Sequence, residues 1–219
     1  MIRFPESTYL NKNVPKNAFY KHLDVNATIK RRFVEDVDKM VWTNKFTSDT
    51  INVAKGKNVL EITVFTMWMK VRTIPTDIIT LIDKNLPRHT LFVLRYENEE
   101  CAVVDYKEAT QGNSGNAFHI TKTYQTEWMP QEELSLDLKG TTMDSVYEGF
   151  VRQIAGSQLT SSTGSLNNDV KQSERIASLK KEIEKLRKKT FAERNPTKKF
   201  AMHKRLMELE NSLKLIEHG

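Results

Sequence analysis

Two groups of residues match in part the types and spacing that metal-dependent cleavage of a phosphodiester requires. Asp105 and Lys107 form an acid-x-lysine triplet where an apolar run ends. Asp49 and Glu61 lie on either side of a predicted hairpin, across which they would face each other. Carboxylates gathered at a strand end can hold Mg²⁺, which activates the attacking water. The sequence therefore offers weak candidates for a catalytic site with Mg²⁺ as its cofactor.

Neither group is complete. Thr63 stands where a lysine would be needed beside Glu61. The upstream acid for Asp105 could only be Asp83, which falls on a predicted helix. Because acid-x-lysine triplets often arise by chance, the simpler interpretation is that Asp105 and Lys107 are ordinary polar residues at a strand end. A divergent metal-dependent nuclease is therefore the alternative function and not the first.

The remaining reactive residue types give no complete site. Glu127 beside Trp128 is the most unusual polar–aromatic pair, and Glu127 is a further catalytic candidate. The simpler interpretation is that Trp128 packs in the core and Glu127 pairs with a basic side chain such as Arg152. The five histidines are scattered without metal-ligand spacing, and Cys101, the single cysteine, lies in an apolar run typical of a buried, inert thiol. No glycine loop has a phosphate-binding pattern. We expect no resident cofactor and no metal outside the nuclease alternative.

Positive charge is concentrated at the end of the chain. Residues 171–219 carry 14 Lys and Arg against 7 Asp and Glu, a net charge of +7 (14 − 7), while the rest carries 20 against 21. A basic tail can bind nucleic acid or an acidic protein surface, although a solvated Lys/Glu helix face has the same composition. The candidate binding residues cluster near Pro196: Lys180, Lys181, Lys185, Arg187, Lys188, Lys189, Lys198, Lys199, Lys204 and Arg205.

A central strand organises the elements that must position these residues. The run 59–70 is apolar on both faces of a period-two strand, so it belongs in the middle of a sheet. Around it the sequence predicts a helix over 26–44, a short strand at 51–53 that turns back as a hairpin, a helix over 75–86, and strands over 90–96, 101–107 and 118–128. The strand–helix–strand order predicts one parallel pair joined by a crossover.

The second half of the chain ends in helices. Residues 111–116 are predicted to form a loop, and Thr141 is predicted to cap a helix that reaches Ile154, with Asp144 at the capping-box position. Residues 157–173 are rich in Ser, Thr, Asn and Gly and indicate a flexible linker. Two apolar stripes in 174–219 change phase at Asn195-Pro196, which favours an antiparallel, coiled-coil-like helical hairpin. The predicted fold is α+β: a mixed, mainly antiparallel sheet with packed helices in 1–156, then the basic hairpin.

Ordered blocks of sequence resemble a known family over nearly the whole chain. They are FPEST at 4–8, VPK at 14–16 with FY at 19–20, EITVF at 61–65, IDKNLP at 82–87 through LFVL at 91–94, and YQTEW at 124–128 with YEGFVRQI at 147–154. Together they resemble the bacterial and archaeal family called domain of unknown function 4391. The resemblance implies a setting beside helicases and DNA methyltransferases of restriction-like or phage-defence islands. It supplies no catalytic residues.

These observations lead to one functional expectation. The resemblance implies a non-enzymatic accessory subunit of a helicase–DNA methyltransferase system. We expect a cytoplasmic location, since neither a secretory signal nor an apolar run of about 20 residues is present. The partners of this subunit would be helicase or methyltransferase subunits or DNA, engaged through the basic hairpin, with a homodimer through the tail as a further expectation.

Overall fold

The strand β3, Ile62–Met69, lies at the centre of the fold, with seven of its eight residues buried. A computed structural model describes residues 2–22, 25–109, 118–159 and 164–218, and the chain divides into two compact units after Gly156. The first unit contains the sheet and the second a pair of helices. A strand that is apolar on both faces requires cover on both, and this explains the predicted central position of β3.

The sheet is mixed and mainly antiparallel, as predicted. Its strands follow the order β1-β2-β3-β4-β5-β6, and β7 pairs with β5. Strands β3 and β4 run parallel, and the other pairs of these strands are antiparallel. The other strands are β1 Tyr9–Asn13, β2 Val37–Phe46, β4 His89–Tyr96, β5 Glu99–Ala109, β6 Phe118–Gln125 and β7 Met129–Pro130. The helices of this unit are α1 Lys16–His22, α2 Ala27–Asp36, α3 Ser48–Ile51, α4 Thr76–Lys84 and α5 Met143–Ala155.

Helix α4 makes the predicted crossover between the parallel strands. Pro75 precedes its first turn, Asp77 lies in that turn and Lys84 lies in the last, an arrangement that complements the helix dipole. Its buried face carries Ile78, Ile79 and Ile82, which join the core cluster formed by the sheet. The loop predicted at 111–116 lies outside the described residues.

The helix predicted over 26–44 is wrong in its second half. Helix α2 ends at Asp36, and Val37 begins the long strand β2. Two irregularities interrupt the pairing of β2 with β3, one between Val37 and Lys39 and one between Trp42 and Asn44. A β-bulge inserts one extra residue, so buried positions there follow a spacing of three that resembles helical periodicity.

The strand predicted at 51–53 is also wrong, because a cap supports a short helix there instead. The Thr47 side chain accepts a hydrogen bond from the Thr50 backbone, and Thr50 reciprocates, so that α3 begins at Ser48. Helix α3 ends at Ile51, and its C-cap Asn52 adopts a left-handed conformation. The sequence predicts that 51–53 pairs with β3, whereas in the structure the antiparallel neighbour of β3 is β2.

Helix α5 is capped one residue later than predicted. Thr142 and Ser145 form the capping box, not Thr141 and Asp144. The Asp144 carboxylate instead accepts three backbone N–H bonds from residues 57–59, at 2.6, 3.0 and 2.7 Å. Helix α5 thereby fastens the segment that leads into the central strand.

The second unit is the predicted helical pair. Helix α6 is Leu166–Ala192 and helix α7 is Pro196–His218, with Asn195 capping α7 through a bond from the Lys198 backbone. The linker predicted over 157–173 is too long, because the Ser165 side chain accepts from the Asn168 backbone and starts α6 at residue 166. Within the described ranges, no helix combines the length and apolar character needed to cross a membrane.

Candidate functional site

Asp83 and Lys107 form an ion pair in the interior of the first unit. The Lys107 Nζ lies 2.6 Å from Asp83 Oδ1, and neither side chain has any exposed surface. Asp83 lies near the end of α4, on its buried face. Lys107 follows an irregularity in β5 after Tyr106, and such a bulge re-aims the side chain that comes after it. The sheet and the crossover helix thus bring together a lysine and the aspartate that the sequence placed on a helix.

All three protons of the Lys107 ammonium group have an acceptor. Besides the Asp83 carboxylate, Nζ donates to the backbone carbonyl oxygens of Asp83 and Arg88, each at 2.7 Å. Burial lowers the pKa of Lys107 from its ordinary value. An ammonium group has three donors, and with all three satisfied beside a carboxylate we assign Lys107 the charged form.

A second carboxyl group, that of Asp105, completes this buried cluster. Its Oδ1 accepts a hydrogen bond from Thr123 at 2.5 Å, and its carboxyl group lies close enough to that of Asp83 for each to affect the pKa of the other. Burial raises the pKa of Asp83 to about 7 against the attraction of Lys107, and burial raises the pKa of Asp105 as well. Since two adjacent carboxylates resist joint ionisation, we infer that Asp83 and Asp105 share one proton beside the charged lysine.

His89 and Tyr147 close the cluster. The His89 ring lies 4.4 Å from that of Tyr147 and 5.0 Å from that of Phe118, and the Tyr147 hydroxyl donates to the Asp105 carbonyl oxygen at 2.6 Å. Burial, helped by repulsion from Lys107, lowers the pKa of His89 to about 4, so its imidazole is neutral near pH 7. The cluster is therefore sealed from solvent and has no net charge.

A cleft of about 250 Å³ is bounded by His89 and Phe118 together with Glu61 and Arg88. Glu61 is held there by two cations, Lys45 at 2.9 Å and Arg88 at 2.6 Å, one on each carboxylate oxygen. Among residues 2–22, 25–109, 118–159 and 164–218, no three His, Cys, Asp or Glu side chains are grouped so that they could hold a metal ion.

The other catalytic candidates do not join this cluster. Asp49 is exposed on α3 and does not face Glu61 across a hairpin, because the strand on which that geometry depended is absent. Glu127 is also exposed. The hydrogen bond that Arg72 donates to Glu99 raises the pKa of the Arg72 guanidinium most, and the charge of Glu127 raises it further. Trp128 packs partly buried against the core, and Cys101 is buried with a pKa raised to about 11 by that burial.

In the second unit the Lys and Arg side chains lie at the surface and not in the interior. Its apolar seam consists of buried Ile183, Leu206 and Leu209, flanked by the partly buried Leu179, Leu186 and Leu213. Ion pairs cross the seam from Arg187 to Glu210 at 2.6 Å and from Lys180 to Glu217 at 2.7 Å. The two predicted apolar stripes therefore pack against each other.

The turn of this hairpin carries a strong excess of positive charge. Residues 185–205, which we call the hairpin tip, contain nine Lys and Arg against one Glu, a net charge of +8 (9 − 1), so the rest of the chain carries −2 (25 − 27). Lys188 pairs with Glu184 at 2.7 Å, and that hydrogen bond raises its pKa. Six exposed side chains of the tip form no ion pair with any described residue: Lys185, Lys189, Arg194, Lys198, Lys199 and Lys204.

Comparison with known proteins identifies the family. The family described as domain of unknown function (DUF4391) matches residues 2–213. The chain belongs to this family. No curated protein and no solved structure matches it.

The description of the DUF4391 family states no function, so the chemistry has to be inferred from the residues themselves. The sequence identified most of the basic tip but not Arg194, Phe191 or Phe200. The two phenylalanines are 89% and 74% exposed. The signal that could have found them is that both fall off the three-and-four spacing of the seam, so packing between the helices does not account for them.

Proposed function

We propose that this DUF4391 chain is a non-enzymatic interaction subunit that binds nucleic acid through its hairpin tip. The observation that carries the proposal is the separation of charge, +8 within 21 residues against −2 over all the others. A phosphate backbone is a dense line of negative charge, and lysines that neutralise it release condensed counterions. The six tip cations without an ion pair are available for such contacts.

The hairpin supports this proposal mechanically. The buried seam and the cross-helix pairs of Arg187 and Lys180 hold the two helices together without using those six cations. Basic side chains that are held on a packed scaffold lose less conformational entropy when they bind a ligand. Contacts of this kind would be sequence-independent, because phosphate oxygens carry no base information.

Salt dependence of binding tests the proposal. We expect the full-length protein to bind a fluorescent oligonucleotide at low salt. The logarithm of the binding constant should fall linearly with the logarithm of the salt concentration, by about 0.9 per phosphate contact for a duplex or about 0.7 for a single strand. Replacing Lys188, Lys189, Lys198 and Lys199 by Glu should abolish binding and keep the melting temperature within a few degrees of the wild type. Wild-type protein that retains neither form of nucleic acid at low salt would refute the proposal.

A matched control removes the same charge from the other unit. Lys12, Lys55, Lys84 and Lys122 are exposed side chains of the first unit. Changing these four to Glu gives the same change in net charge as the tip variant. Binding should fall far less than in the tip variant, because the reversed charges lie away from the proposed contacts. Equal losses would mean that net charge alone, and not the tip, drives association.

We further propose that this subunit works beside a helicase or DNA methyltransferase subunit of a restriction-like or phage-defence system. The support is the genomic setting that the family resemblance implies, which is an association and not a contact. Affinity purification from the native host followed by mass spectrometry tests it, with recovery of neither enzyme class counting against it. Light scattering of the purified protein tests the expected homodimer through the tail.

The alternative function is a metal-dependent nuclease, and the meeting of Asp83, Asp105 and Lys107 is the observation that favours it. Against it, the cluster is sealed and every Lys107 proton has an acceptor, whereas a catalytic lysine needs access to the substrate. Incubating plasmid DNA with the protein and Mg²⁺ or Mn²⁺ separates the two functions. Cleavage lost in an Asp105→Asn variant would establish the nuclease.

A further inference from the structure

The hairpin tip exposes two aromatic rings. Phe191 is the second-last residue of α6 and Phe200 the fifth residue of α7, and they are 89% and 74% exposed. At a rise of about 1.5 Å per residue, each lies within about 6 Å along its helix axis from the turn. A large aromatic side chain normally gains free energy from burial, so the exposure of both rings in one turn points to a ligand.

Neither ring contributes to the packing of the hairpin. The seam is formed by Ile183, Leu206, Leu209 and their flanking leucines, and neither phenylalanine belongs to that cluster. Phe200 lies about six positions from Leu206 on a helix of 3.6 residues per turn, and so does not share its face. Removing either ring should therefore leave the fold of the second unit unchanged.

Charged groups around the rings restrict the chemistry of that ligand. Lys188 and Lys189 precede Phe191 directly, Lys198 and Lys199 precede Phe200, and Arg194 lies in the turn. The single acid of the tip, Glu193, is engaged by the backbone of Asn195 at 2.9 Å. The ligand must therefore be polyanionic and must also present apolar, flat surfaces.

Single-stranded nucleic acid meets both requirements. Its phosphates supply the negative charge and its unpaired bases supply faces that stack on aromatic rings, as they do in proteins that bind single strands without sequence preference. A duplex offers the same phosphates but keeps its bases stacked on each other. An acidic peptide offers charge without a regular series of flat faces.

We propose that the hairpin tip binds single-stranded nucleic acid, with bases stacked on Phe191 and Phe200 and phosphates on the surrounding lysines. This inference rests on the proposed function, nucleic-acid binding by the tip, and adds the class of nucleic acid and the two residues that select it. The stacking is sequence-tolerant, because every base has a π-face. The tip would therefore distinguish single strands from duplexes but not one sequence from another.

Fluorescence anisotropy with the full-length protein tests the inference. The probes are 20-nucleotide oligothymidine, oligouridine of the same length and a 20-base-pair duplex, each measured over a range of salt. We expect the single strands to bind more tightly than the duplex. Phe191→Ala and Phe200→Ala should each weaken single-strand binding by about tenfold, since stacking on one ring contributes that order of affinity.

Conservative replacements separate stacking from general hydrophobic contact. Tyr at both positions keeps the flat ring and should retain affinity, whereas Leu keeps the apolar bulk and should lose it as Ala does. The control is Met207→Ala, which removes another exposed apolar side chain of α7 and should not change binding. Because none of these variants alters charge, the salt slope should remain that of the wild type.

Each contrary outcome has a distinct meaning. Equal binding of single strand and duplex, with no loss on Phe→Ala, would overturn this inference and leave the proposed function standing. Leu variants that bind like the wild type would also overturn it, because stacking would not be the source of affinity. Capture of polyglutamate without capture of any oligonucleotide would overturn both proposals.

Discussion

Lys107 and Lys188 hold their carboxylate partners at nearly the same distance and in opposite surroundings. Lys107 lies 2.6 Å from Asp83 with both side chains fully buried, and Lys188 lies 2.7 Å from Glu184 with 78% and 68% of the side chains exposed. Interaction between charges grows as the effective dielectric constant falls, and so does the cost of removing them from water. A lysine–carboxylate pair therefore matters for the stability of the first unit, whereas the exposed pair of the second unit can be replaced with little effect on stability.

This contrast decides where function can lie. A lysine whose three protons are satisfied inside the protein cannot contact a substrate without unfolding its surroundings. The tip lysines are hydrated and weakly held, so they can exchange water and counterions for phosphate at little cost. The proposed function accordingly places binding on the second unit, while the buried cluster contributes to stability.

Replacing Lys107 by Met should have the largest effect. The change removes the cation and leaves Asp83 and two backbone carbonyls buried without their donor. Breaking a buried ion pair from one side costs about 3–5 kcal/mol of unfolding free energy. Urea denaturation measures this loss. Lys188→Met is the matched control and should leave the denaturation midpoint where it is, while equal midpoints for both variants would contradict the contrast.

Replacing Asp105 by Asn should stabilise the protein at alkaline pH. In the wild type the folded state binds a proton, held between Asp83 and Asp105, that the unfolded chain has released above pH 4. Stability from this proton is lost as pH rises toward the folded pKa of about 7. The amide of Asn supplies the same hydrogen bond without titrating.

The comparison of the two proteins isolates this effect from His89, whose pKa of about 4 gives a stability contribution of the opposite sign between pH 4 and its ordinary pKa. The variant should match the wild type near pH 5 and exceed it near pH 8 by roughly 2 kcal/mol of unfolding free energy. Urea denaturation at the two pH values measures the difference. A constant difference across this range would place the shared proton elsewhere.

Asp144 should give an intermediate effect, because it is partly exposed but bonds to fixed backbone groups. Its three N–H donors lower the pKa of its carboxyl group although partial burial opposes them. Asp144→Ala should cost about 1–3 kcal/mol of unfolding free energy at neutral pH. Since the folded pKa is depressed, the difference from the wild type should shrink as pH falls through that pKa. Asp137→Ala, at an exposed ion pair with Lys139, provides the control.

The smallest effect on stability should come from the tip. Changing Lys188, Lys189, Lys198 and Lys199 to Glu alters the net charge by −8 yet removes no buried contact. We expect a melting temperature within a few degrees of the wild type, in contrast to the loss of nucleic-acid binding expected from the same variant. Circular dichroism measures the first quantity, and a collapse of helicity would show that the tip stabilises the hairpin.

The sequence predicted the elements whose buried positions follow a regular period. Strand β3, helix α4 and the helical pair were found because their apolar residues repeat at two or at three to four. The sequence of β2 resembles a helix because two irregularities in its pairing with β3 change that period. Such bulges depend on the partner strand, so no local pattern within 37–46 could have revealed them.

The buried cluster shows a second limit of sequence analysis. Asp105 and Lys107 were visible as a triplet, but their burial depends on α4, α5 and β6 closing over them, and therefore on residues far away in the chain. The charged tip was visible because it needs no such closure. Its two phenylalanines were overlooked because an apolar residue in an amphipathic helix suggests core unless its angular position is checked.

The three bonds to Asp144 also set an order for synthesis. They join groups that are 85 to 87 residues apart, so the segment before the central strand is fastened only after α5 has left the ribosome. Long-range closure of this kind is slow, whereas a pair of helices joined by a three-residue turn forms from neighbouring contacts. During translation the first unit should stay open to proteases until about residue 155 emerges. Pulse proteolysis of stalled nascent chains would show protection beginning at that length.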